Sequence, residues 1–369
     1  METLHPASPR ELADALATAA TAGSQIQVGG QFTKRRIGGP LPSAGVTIST
    51  AGLKRIIQYN AADLTISVEA GYPYADLQKE LAANRQMLAL DPPFAERATI
   101  GGVIAANCSG PRRRLHGTPR DVVIGMQIAG VNGKITQSGG MVVKNVAGLD
   151  TGKLHIGAFG TLGAMAVLNF KLLPLPLATR TFVRSCETAG DAVAARDALL
   201  RSILQPMAMD LVNPAAATAL GLKGYCILVE AGGNSALLDR YQRELAGYQV
   251  TDDTIWRKVT GYTETFLQQH SRGCIVRLST QLSDLATVLQ KFNGPLIARA
   301  ASGVAYAYCE QPPAFMPPFP AVVEYSPDPR EPGLDLWPNP GKDFEVMLKI
   351  KQMIDPQHLL NKGRLYGRI

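Results

Sequence analysis

The sequence is poor in the residues that build metal centres and disulfide frameworks. Its 369 residues include only five cysteines and five histidines, all well separated. No Cys-x-x-Cys pair is present, so the spacing of a zinc or iron–sulfur site is missing. Isolated cysteines in odd number are typical of free, mostly buried thiols in a reducing compartment. We therefore predict free thiols and no metal site.

Long apolar runs and a secretion signal are also missing. The opening residues, METLHPASPREL, contain no basic segment followed by an apolar stretch. No apolar run approaches the roughly 20 residues that are needed to cross a bilayer. We expect a cytoplasmic protein that associates with a membrane, if at all, through a partner.

Acidic charge is in deficit, since the net charge is +7. A basic protein can bind nucleic acid, but also phosphate-bearing cofactors or acidic partners. The basic run Arg112 to Arg114 has no interleaved aromatic residues and no nucleic-acid-binding module around it. A solvated loop is the first interpretation of this run, and a contact with a partner is the second. Nucleic-acid binding has only the net charge in its favour.

What the chain does contain is typical of a folded enzyme of more than one domain. Hydrophobic residues make up 46% and charged residues 18%, and the length suits two or three structural units. Helices alternate with strands in the middle of the chain, which favours an α+β domain with helices on an antiparallel sheet. We predict domains at 1–176 and 177–325 and a C-terminal segment at 326–369, with an extended connector over the proline-rich 312–340.

The individual elements follow from capping residues, apolar periodicity and turn residues. Ser8, Pro9 and Glu11 predict a capped helix start, and Asn132-Gly133 predicts a hairpin turn. The predicted helices are 8–23, 53–60, 74–84, 189–204, 235–245, 282–289 and 342–354. The predicted strands are 26–28, 64–70 (half-buried), 122–128, 135–136, 164–173, 225–231, 274–279, 296–299 and 304–308.

A glycine turn follows the first strand of this scheme. Its residues are Gly29-Gly30-Gln31-Phe32-Thr33-Lys34. In such a turn successive backbone N–H groups can point at one anion, while Thr33 adds a hydroxyl and Lys34 a positive charge. The turn matches neither a Walker loop nor a GxGxxG fingerprint. It suits a pyrophosphate, although a plain surface turn explains it about as well.

Three further segments combine glycine with polar residues. The first runs from Leu90-Asp91-Pro92-Pro93 to Gly110, with bare backbone at Gly101 and Gly102 and polar side chains at Asn107 and Ser109. It suits close approach of a ligand or of another backbone, but a buried helix with a glycine start is an alternative. The second spans 139–150. The third carries Gly157, Gly160 and Gly163 at a spacing of three, which suits either a wall for a flat aromatic ligand or a plain strand connection.

In this order and at these separations, the segments resemble the FAD domain of the vanillyl-alcohol oxidase (PCMH-type) flavoproteins, and in particular its glycolate oxidase branch. The family has a glycine loop, then T-I-G-G…A-N-x-S-G, then V-K-N-x-x-G-x-D, then G-x-x-G-T-L-G. Here these motifs stand at Thr33-Lys34, Thr99 to Gly110, Val143 to Asp150 and Gly157 to Gly163. The closing segment from Asp355 to Leu365 resembles the family's D-P…F-N-P-G-R. The resemblance covers about the first 175 and the last 40 residues.

The resemblance implies a PCMH-type FAD-binding domain of two α+β subdomains, an α+β cap domain with an antiparallel sheet, and a C-terminal segment that returns to the FAD domain. It implies FAD-binding roles for the following residues: Gly29, Gly30, Thr33 and Lys34 at the pyrophosphate; Pro92, Thr99, Gly101, Gly102, Asn107 and Ser109 along the phosphates and flavin; Gly157, Gly160, Thr161 and Gly163 along the ribityl chain and ring; and Asn361 from the C-terminal segment.

Four residues depart from the family pattern, namely Gln31, Phe32, Leu149 and Lys362. Covalent flavin attachment in this superfamily uses a histidine or cysteine on particular loops. The first loop has no histidine, and Cys108 is explained as a small buried residue. We therefore expect FAD to be bound without a covalent link.

The resemblance also implies a function. The expected protein is an FAD-binding subunit of a glycolate oxidase complex, which oxidises a small 2-hydroxy acid such as glycolate to glyoxylate. Its expected partners are a larger catalytic flavoprotein and an iron–sulfur subunit. Catalytic relatives carry an H-x-x-D-G-N-x-H segment that this chain lacks, so no catalytic residue is assigned. Arg277 and Arg299 could meet a carboxylate, although structural pairing is the commoner role.

Two alternatives stay open from the sequence. One is a self-sufficient FAD-dependent dehydrogenase that acts on a D-lactate-like hydroxy acid. The other is a non-catalytic scaffold, because Gln31 and Phe32 could spoil the first loop.

Overall fold

A computed structural model describes residues 2–39, 44–142, 150–313, 319–327 and 333–369. The chain divides into two compact units. The first comprises Met1–Cys108, Thr118–Leu175 and Asp328–Ile369, and the second comprises Ser109–Gly117 and Pro176–Pro327.

The strands of the first unit precede those of the second along the chain. Those of the first unit are β1 (Glu2–Leu4), β2 (Ile26–Gly29), β3 (Val46–Ser49), β4 (Ile56–Asn60), β5 (Thr65–Glu69), β6 (Gln86–Met87), β7 (Val123–Ala129), β8 (Ile135–Gly139), β9 (Ala164–Lys171) and β10 (Leu173–Pro174). Those of the second unit are β11 (Ala178–Cys186), β12 (Ala208–Val212), β13 (Tyr225–Gly233), β14 (Gln249–Thr251), β15 (Cys274–Ser279), β16 (Leu296–Arg299), β17 (Val304–Cys309) and β18 (Ala321–Tyr325).

The helices vary from single turns to four turns. They are α1 (Pro9–Thr21), α2 (Tyr74–Ala83), α3 (Ile100–Ala105), α4 (Arg113–His116), α5 (Pro119–Val122), α6 (Gly152–His155), α7 (Ala189–Arg201), α8 (Pro214–Leu220), α9 (Ser235–Glu244), α10 (Thr254–Gln269), α11 (Leu285–Lys291), α12 (Phe344–Ile354) and α13 (Arg364–Gly367). Short 3₁₀ turns occupy Thr50–Gly52, Ala61–Asp63 and Leu282–Asp284. Within the ranges that the structure describes, no helix combines the length and the apolar character that a membrane span needs.

The first unit contains two principal sheets that share one helix. A parallel sheet has the order β1-β3-β2, and an antiparallel sheet has the order β4-β5-β9-β7-β8. Helix α1 packs against strands of both sheets. Its Leu12 and Leu16 are fully buried in a core with Ile26, Ile48 and Leu360. The C-terminal segment thus contributes to the core of the N-terminal sheet, where Leu360 forms a parallel bridge with Ile26.

Helix α1 begins as its capping residues predict. The Ser8 hydroxyl accepts a hydrogen bond from the Glu11 backbone N–H at 3.2 Å, and Pro9 occupies the first turn. The Glu11 carboxylate accepts from the Ser8 hydroxyl and from the Ala7 backbone N–H, each at 3.0 Å. The hairpin prediction is also confirmed, since Asn132 and Gly133 connect β7 to β8, with Gly133 at φ 72°.

Three predictions about elements are wrong. The predicted helix over 53–60 is strand β4, which pairs antiparallel with β5. Strand β5 was expected to be half-buried, but all five of its residues are buried because it lies between β4 and β9 and is covered on both faces. The predicted connector over 312–340 contains β18, which pairs with β15 in the sheet of the second unit.

The second unit is built on one antiparallel sheet of eight strands, in the order β14-β11-β13-β12-β16-β17-β15-β18. Helices α7, α8 and α9 pack on its strands, and α7 also packs on α11. The α+β class, with an antiparallel sheet in the second part of the chain, is therefore confirmed. The sequence analysis did not predict β11, β12, α8 or α10, which all belong to this unit.

Candidate cofactor site

A cleft in the first unit collects most of the glycine segments. It encloses about 770 Å³ of empty space, part of it open to solvent. Its walls come from residues 28–37, helix α3, the segment 159–165 and the C-terminal Asn361 and Arg364. The charged residues among its lining are Lys34, Arg35 and Arg364, all of them cationic. This lining is suited to an anionic ligand.

Ten of the predicted cofactor residues line this cleft. They are Gly29, Gly30, Thr33, Lys34, Thr99, Gly101, Gly102, Gly160, Gly163 and Asn361. Segments that are distant in sequence are thus brought to one place by the fold.

Five predicted residues do not line the cleft. Pro92 is buried elsewhere in the first unit, and Asn107 is exposed in a turn at φ 49°. Gly157 donates its N–H to the Ile104 carbonyl, and the buried Thr161 donates its hydroxyl to the Ala158 carbonyl at 2.7 Å. These two residues hold the connection before β9 rather than face the cleft. Ser109 belongs to the second unit. Of the third motif, residues 143–149 lie outside the described residues.

The first glycine loop leaves its backbone donors available. The N–H groups of Gly30, Gln31, Phe32 and Thr33 donate to no acceptor in the described part of the protein. The carbonyls of this loop are nevertheless held, because the Gly30 carbonyl accepts from the Ser49 hydroxyl at 3.1 Å. Successive donors without protein partners form the concave anion site that oriented backbone amides make. The loop therefore suits a phosphate or diphosphate group.

Phe32 departs from the family pattern without blocking this loop. It adopts a left-handed backbone conformation at φ 51°, and its ring packs against the bare backbone of Gly29. A Cβ atom on Gly29 would lie only 2.6 Å from Phe32 Cε1. Gly29 is thus required by the phenylalanine that follows it, and the two residues fit together.

The other cleft glycines allow parts of the protein to approach one another. A Cβ on Gly30 would lie 2.7 Å from Thr99 Cγ2, and a Cβ on Gly101 would lie 2.8 Å from the Ala70 carbonyl oxygen. A Cβ on Gly160 would lie 2.7 Å from Asn361 Nδ2. The sequence leaves two reasons for these glycines, namely close approach of a ligand or of another part of the protein. These contacts directly support the second reason.

The second glycine segment forms a helix rather than a set of open donors. Thr99 caps α3 through its side chain, which accepts from the Gly102 N–H at 3.3 Å. The Ile100 and Gly101 N–H groups bond to the carbonyls of Tyr72 and Ala70. Because these donors are occupied, α3 contributes the shape of the cleft, whereas the first loop contributes its hydrogen-bond donors.

Asn361 joins three parts of the site. Its Oδ1 accepts from the Val28 N–H at 2.8 Å, and its Nδ2 donates to the Val28 carbonyl at 3.1 Å and to the Phe159 carbonyl at 2.7 Å. The side chain is 2% exposed. It therefore fixes the strand before the first loop against the turn that carries Gly160.

Arg364 was not predicted as a site residue, and it anchors the residues that follow the first loop to the C-terminal segment. Its Nη1 donates to the carbonyls of Arg35 at 2.9 Å and Gly39 at 2.8 Å, and also to that of Ile37. The side chain is 7% exposed, so these bonds are largely shielded from water. The arginine of the closing motif was the only signal in the sequence that pointed to this residue.

Lys351 was also missed, and it holds the segment that precedes β9. Its ammonium donates to the Thr161 carbonyl at 2.8 Å, to Asp355 Oδ2 at 2.6 Å and to the Leu360 carbonyl at 3.2 Å. Burial lowers the pKa of Lys351, while Asp355 opposes this shift. The pair is almost fully buried and fixes α12 to the segment before β9.

His155 is the buried histidine of the first unit. It ends α6 and is 8% exposed. Burial lowers its pKa to about 4, because the cationic ring would lose its hydration. The ring is therefore neutral at pH 7.

The two arginines of the second unit that could meet a carboxylate are engaged in ion pairs. Arg299 is paired with the fully buried Asp210, and Arg277 lies 3.5 Å from Glu324. This is the structural pairing that was considered the commoner role. Arg112, expected in a solvated loop, instead makes two 3.0 Å hydrogen bonds to the buried Glu230.

Comparisons with known proteins agree with this cleft. Residues 3–139 match the FAD binding domain family. The glycolate oxidase subunit GlcE of Escherichia coli is 35% identical over 160 residues, which cover 43% of this chain and 45% of that protein. The glycolate oxidase subunit GlcD of Bacillus subtilis is 30% identical over 43% of this chain and 36% of its own length. The matched region therefore spans less than half of each relative.

A mitochondrial D-lactate dehydrogenase [cytochrome] of Arabidopsis thaliana is 30% identical over 52% of this chain and 33% of that protein. Among solved structures, one of alkyldihydroxyacetonephosphate synthase covers 100% of this chain and 77% of its own, with a TM-score of 0.72 at 15% identity. At this level of identity the likeness concerns the fold alone. The matched family, together with the glycine cleft, identifies residues 3–139 as an FAD-binding domain whose cofactor is FAD.

Proposed function

We propose that this chain is the FAD-binding subunit of a glycolate oxidase-type complex, which oxidises a small 2-hydroxy acid and passes electrons to an iron–sulfur partner. The observation that carries the proposal is the run of four backbone N–H groups, Gly30 to Thr33, without protein acceptors in the described part of the chain. They line a cleft with three cationic residues, within a domain of an FAD-binding family.

The residues of the cleft divide the work of holding FAD. In the proposal, the N–H groups of the first loop and Lys34 hold the diphosphate, while Gly160 and Gly163 border the remainder of the cofactor. Asn361 and Arg364 position the loop through its backbone and do not themselves need to touch the cofactor. Bound FAD supplies a two-electron acceptor that amino-acid side chains lack. The first loop has no histidine and Cys108 does not line the cleft, which supports a non-covalent attachment.

A partner is proposed because oxidation of a hydroxy acid also needs a base for the hydroxyl proton. The chain lacks the H-x-x-D-G-N-x-H segment, and its five histidines are far apart in the sequence. Two of the relatives are named as subunits of glycolate oxidase, which supports a multi-subunit assembly. We infer that a larger flavoprotein performs the first oxidation and that this chain relays electrons or completes the complex.

A self-sufficient D-lactate-type dehydrogenase is the second candidate. Relatives with that name cover about half of this chain, which supports it. The scaffold alternative rested on Gln31 and Phe32, but the open N–H groups of the first loop and the packing of Phe32 on Gly29 support a loop that can still bind a phosphate.

The test begins with the purified full chain. Flavin released on denaturation should be FAD at one per chain, and added FAD should stabilise the stripped protein by about 2.7 kcal/mol at a hundred times its Kd. A colourless protein that gains no thermal stability from FAD would contradict the cofactor assignment.

The second step mixes the FAD-loaded chain anaerobically with glycolate or D-lactate. We expect the flavin absorbance to persist in the isolated chain and to bleach when a larger flavoprotein and a cysteine-rich iron–sulfur protein are co-expressed with it. Rapid bleaching of the isolated chain would reject the relay and favour the self-sufficient dehydrogenase.

A further inference from the structure

Two cysteines of the second unit lie directly opposite each other in its sheet. Cys274 is the first residue of β15 and Cys309 is the last residue of β17, and the two are register partners in an antiparallel ladder. Directly opposite residues point to the same face of a sheet, with Cβ atoms about 4.5–5.5 Å apart. A disulfide needs about 3.5–4.5 Å. A movement of about 1 Å between the strand ends would therefore allow the two sulfur atoms to bond.

The two thiols already interact in the reduced protein. A hydrogen bond from Cys274 lowers the pKa of Cys309, although burial opposes this shift. Cys274 is fully buried, and its thiol also lies 3.7 Å from the Gln311 carbonyl. Cys309 is partly exposed at the strand end. This arrangement places a partly exposed cysteine next to a buried one whose sulfur can resolve it.

The same sheet contains a pair that cannot bridge. Cys186 is opposite Tyr225, and Cys226 is opposite Ser185, so the two cysteines are offset by one residue and point to opposite faces. Burial raises the pKa of both of these thiols. They therefore provide an internal control for reactivity and for geometry.

We propose that Cys274 and Cys309 form a reversible disulfide when the protein meets a hydroperoxide. In the first step the Cys309 thiolate attacks one peroxide oxygen, the O–O bond breaks, and a sulfenic acid and water form after proton uptake. In the second step the Cys274 sulfur attacks the Cys309 sulfur, and water leaves. The sum is two thiols and one hydrogen peroxide giving one disulfide and two waters.

The geometry favours a reducible bond over a permanent one. The strand ends must approach each other, and a strained or exposed disulfide has a more oxidising potential than a structural one. In a reducing compartment such disulfides are usually transient and redox-sensing. The modification is thus a reversible covalent link between β15 and β17.

The test uses the full chain with its flavin, treated with hydrogen peroxide and then quenched with an alkylating agent. Trypsin releases Cys274 in peptide 273–277 and Cys309 in peptide 300–330. We expect these two peptides as one cross-linked species that dithiothreitol separates. Titration of the denatured protein should show a loss of two of the five thiols.

Three variants sharpen the result. Cys274→Ser should abolish the cross-link and leave a sulfenic acid at Cys309 that dimedone traps. Cys309→Ser should slow the loss of titratable thiols in hydrogen peroxide about tenfold, because the reactive sulfur is removed. Cys186→Ser should retain the cross-link unchanged.

The proposal is overturned if peroxide oxidises Cys309 without producing the cross-linked peptide. It is also overturned if Cys186 and Cys226 are lost as fast as Cys309. Both outcomes are read from the peptide map of the unmodified sequence, so a variant that fails to fold does not affect the decision.

Discussion

Replacing Arg364 with methionine should uncouple the first loop from the C-terminal segment. Methionine keeps much of the apolar stem but removes the guanidinium, whose Nη1 holds the carbonyls of Arg35 at 2.9 Å and Gly39 at 2.8 Å. Hydrogen bonds to a charged group contribute about 1.5–3 kcal/mol each. Because the loop can relax and admit water, we expect each of these two bonds to contribute near the lower end of this range. The free energy of unfolding should then decrease by about 3 kcal/mol. For a unit of this size that corresponds to a decrease in Tm of roughly 6–12 °C.

The same substitution should weaken FAD binding. The loop that carries the open N–H groups must then be ordered by the cofactor, and fixing one residue costs about 1–2 kcal/mol. Ordering one or two residues corresponds to a Kd for FAD that is higher by about tenfold to a hundredfold. Urea denaturation of the stripped protein measures the first effect, and titration of FAD fluorescence measures the second.

Arg368→Met is the matched control. Arg368 lies four residues further along; it pairs with Asp335 and donates to the Trp337 carbonyl at 2.7 Å, but its side chain is 33% exposed and that of Asp335 is 49% exposed, whereas Arg364 is 7% exposed. A surface pair of this kind contributes at most about 1 kcal/mol. Equal stability and equal FAD affinity of the two variants would refute the role assigned to Arg364.

Three further substitutions test other parts of the first unit. Gly30→Ala forces a Cβ against Thr99 and should reduce both stability and flavin content. The control is Gly140→Ala, whose Cβ meets no atom within 4 Å and which should change neither property. Equal flavin content in the two variants would contradict the contact between Gly30 and Thr99. His155 has a pKa of about 4 in the folded protein, so between about pH 6.5 and pH 4 the unfolded chain binds a proton that the folded protein does not. The free energy of unfolding should therefore fall by about 3 kcal/mol as the pH decreases through that window. In acid-denaturation curves, His155→Gln should make this fall smaller. Lys351→Met leaves the buried Asp355 carboxylate without a compensating charge and should decrease the free energy of unfolding by about 3–5 kcal/mol. A decrease below about 1 kcal/mol would contradict the buried pair.

Local signals in the sequence predicted local structure well. Ser8 and Glu11 predicted the start of α1, and Asn132-Gly133 predicted the hairpin, because capping and turn chemistry act over three or four residues. The segment 53–60 was wrong because a short apolar run has no decisive period, and its β-branched and aromatic residues favour a strand. Strand β18 was missed because the prolines around it obscured a five-residue strand.

The site was predictable to the extent that its contacts are local or belong to a known motif. The first loop and Asn361, to which the family resemblance assigns cofactor contacts, line one cleft. Arg364 escaped notice because its partners lie more than 320 residues earlier in the chain, and no local pattern records such a contact. Asn107 was assigned to the cofactor by the family resemblance, but it is exposed in a turn and does not line the cleft.

The bond between Val28 and Asn361 joins residues that are 333 positions apart. A ribosome synthesises the glycine loop more than 320 residues before the Asn361 and Arg364 side chains that hold it in place. The nascent chain cannot complete its cleft before they are made, and N-terminal regions otherwise tend to fold first during synthesis. Capture of the flavin should consequently wait until residue 361 has been synthesised, and any fragment that stops before residue 361 should remain without colour.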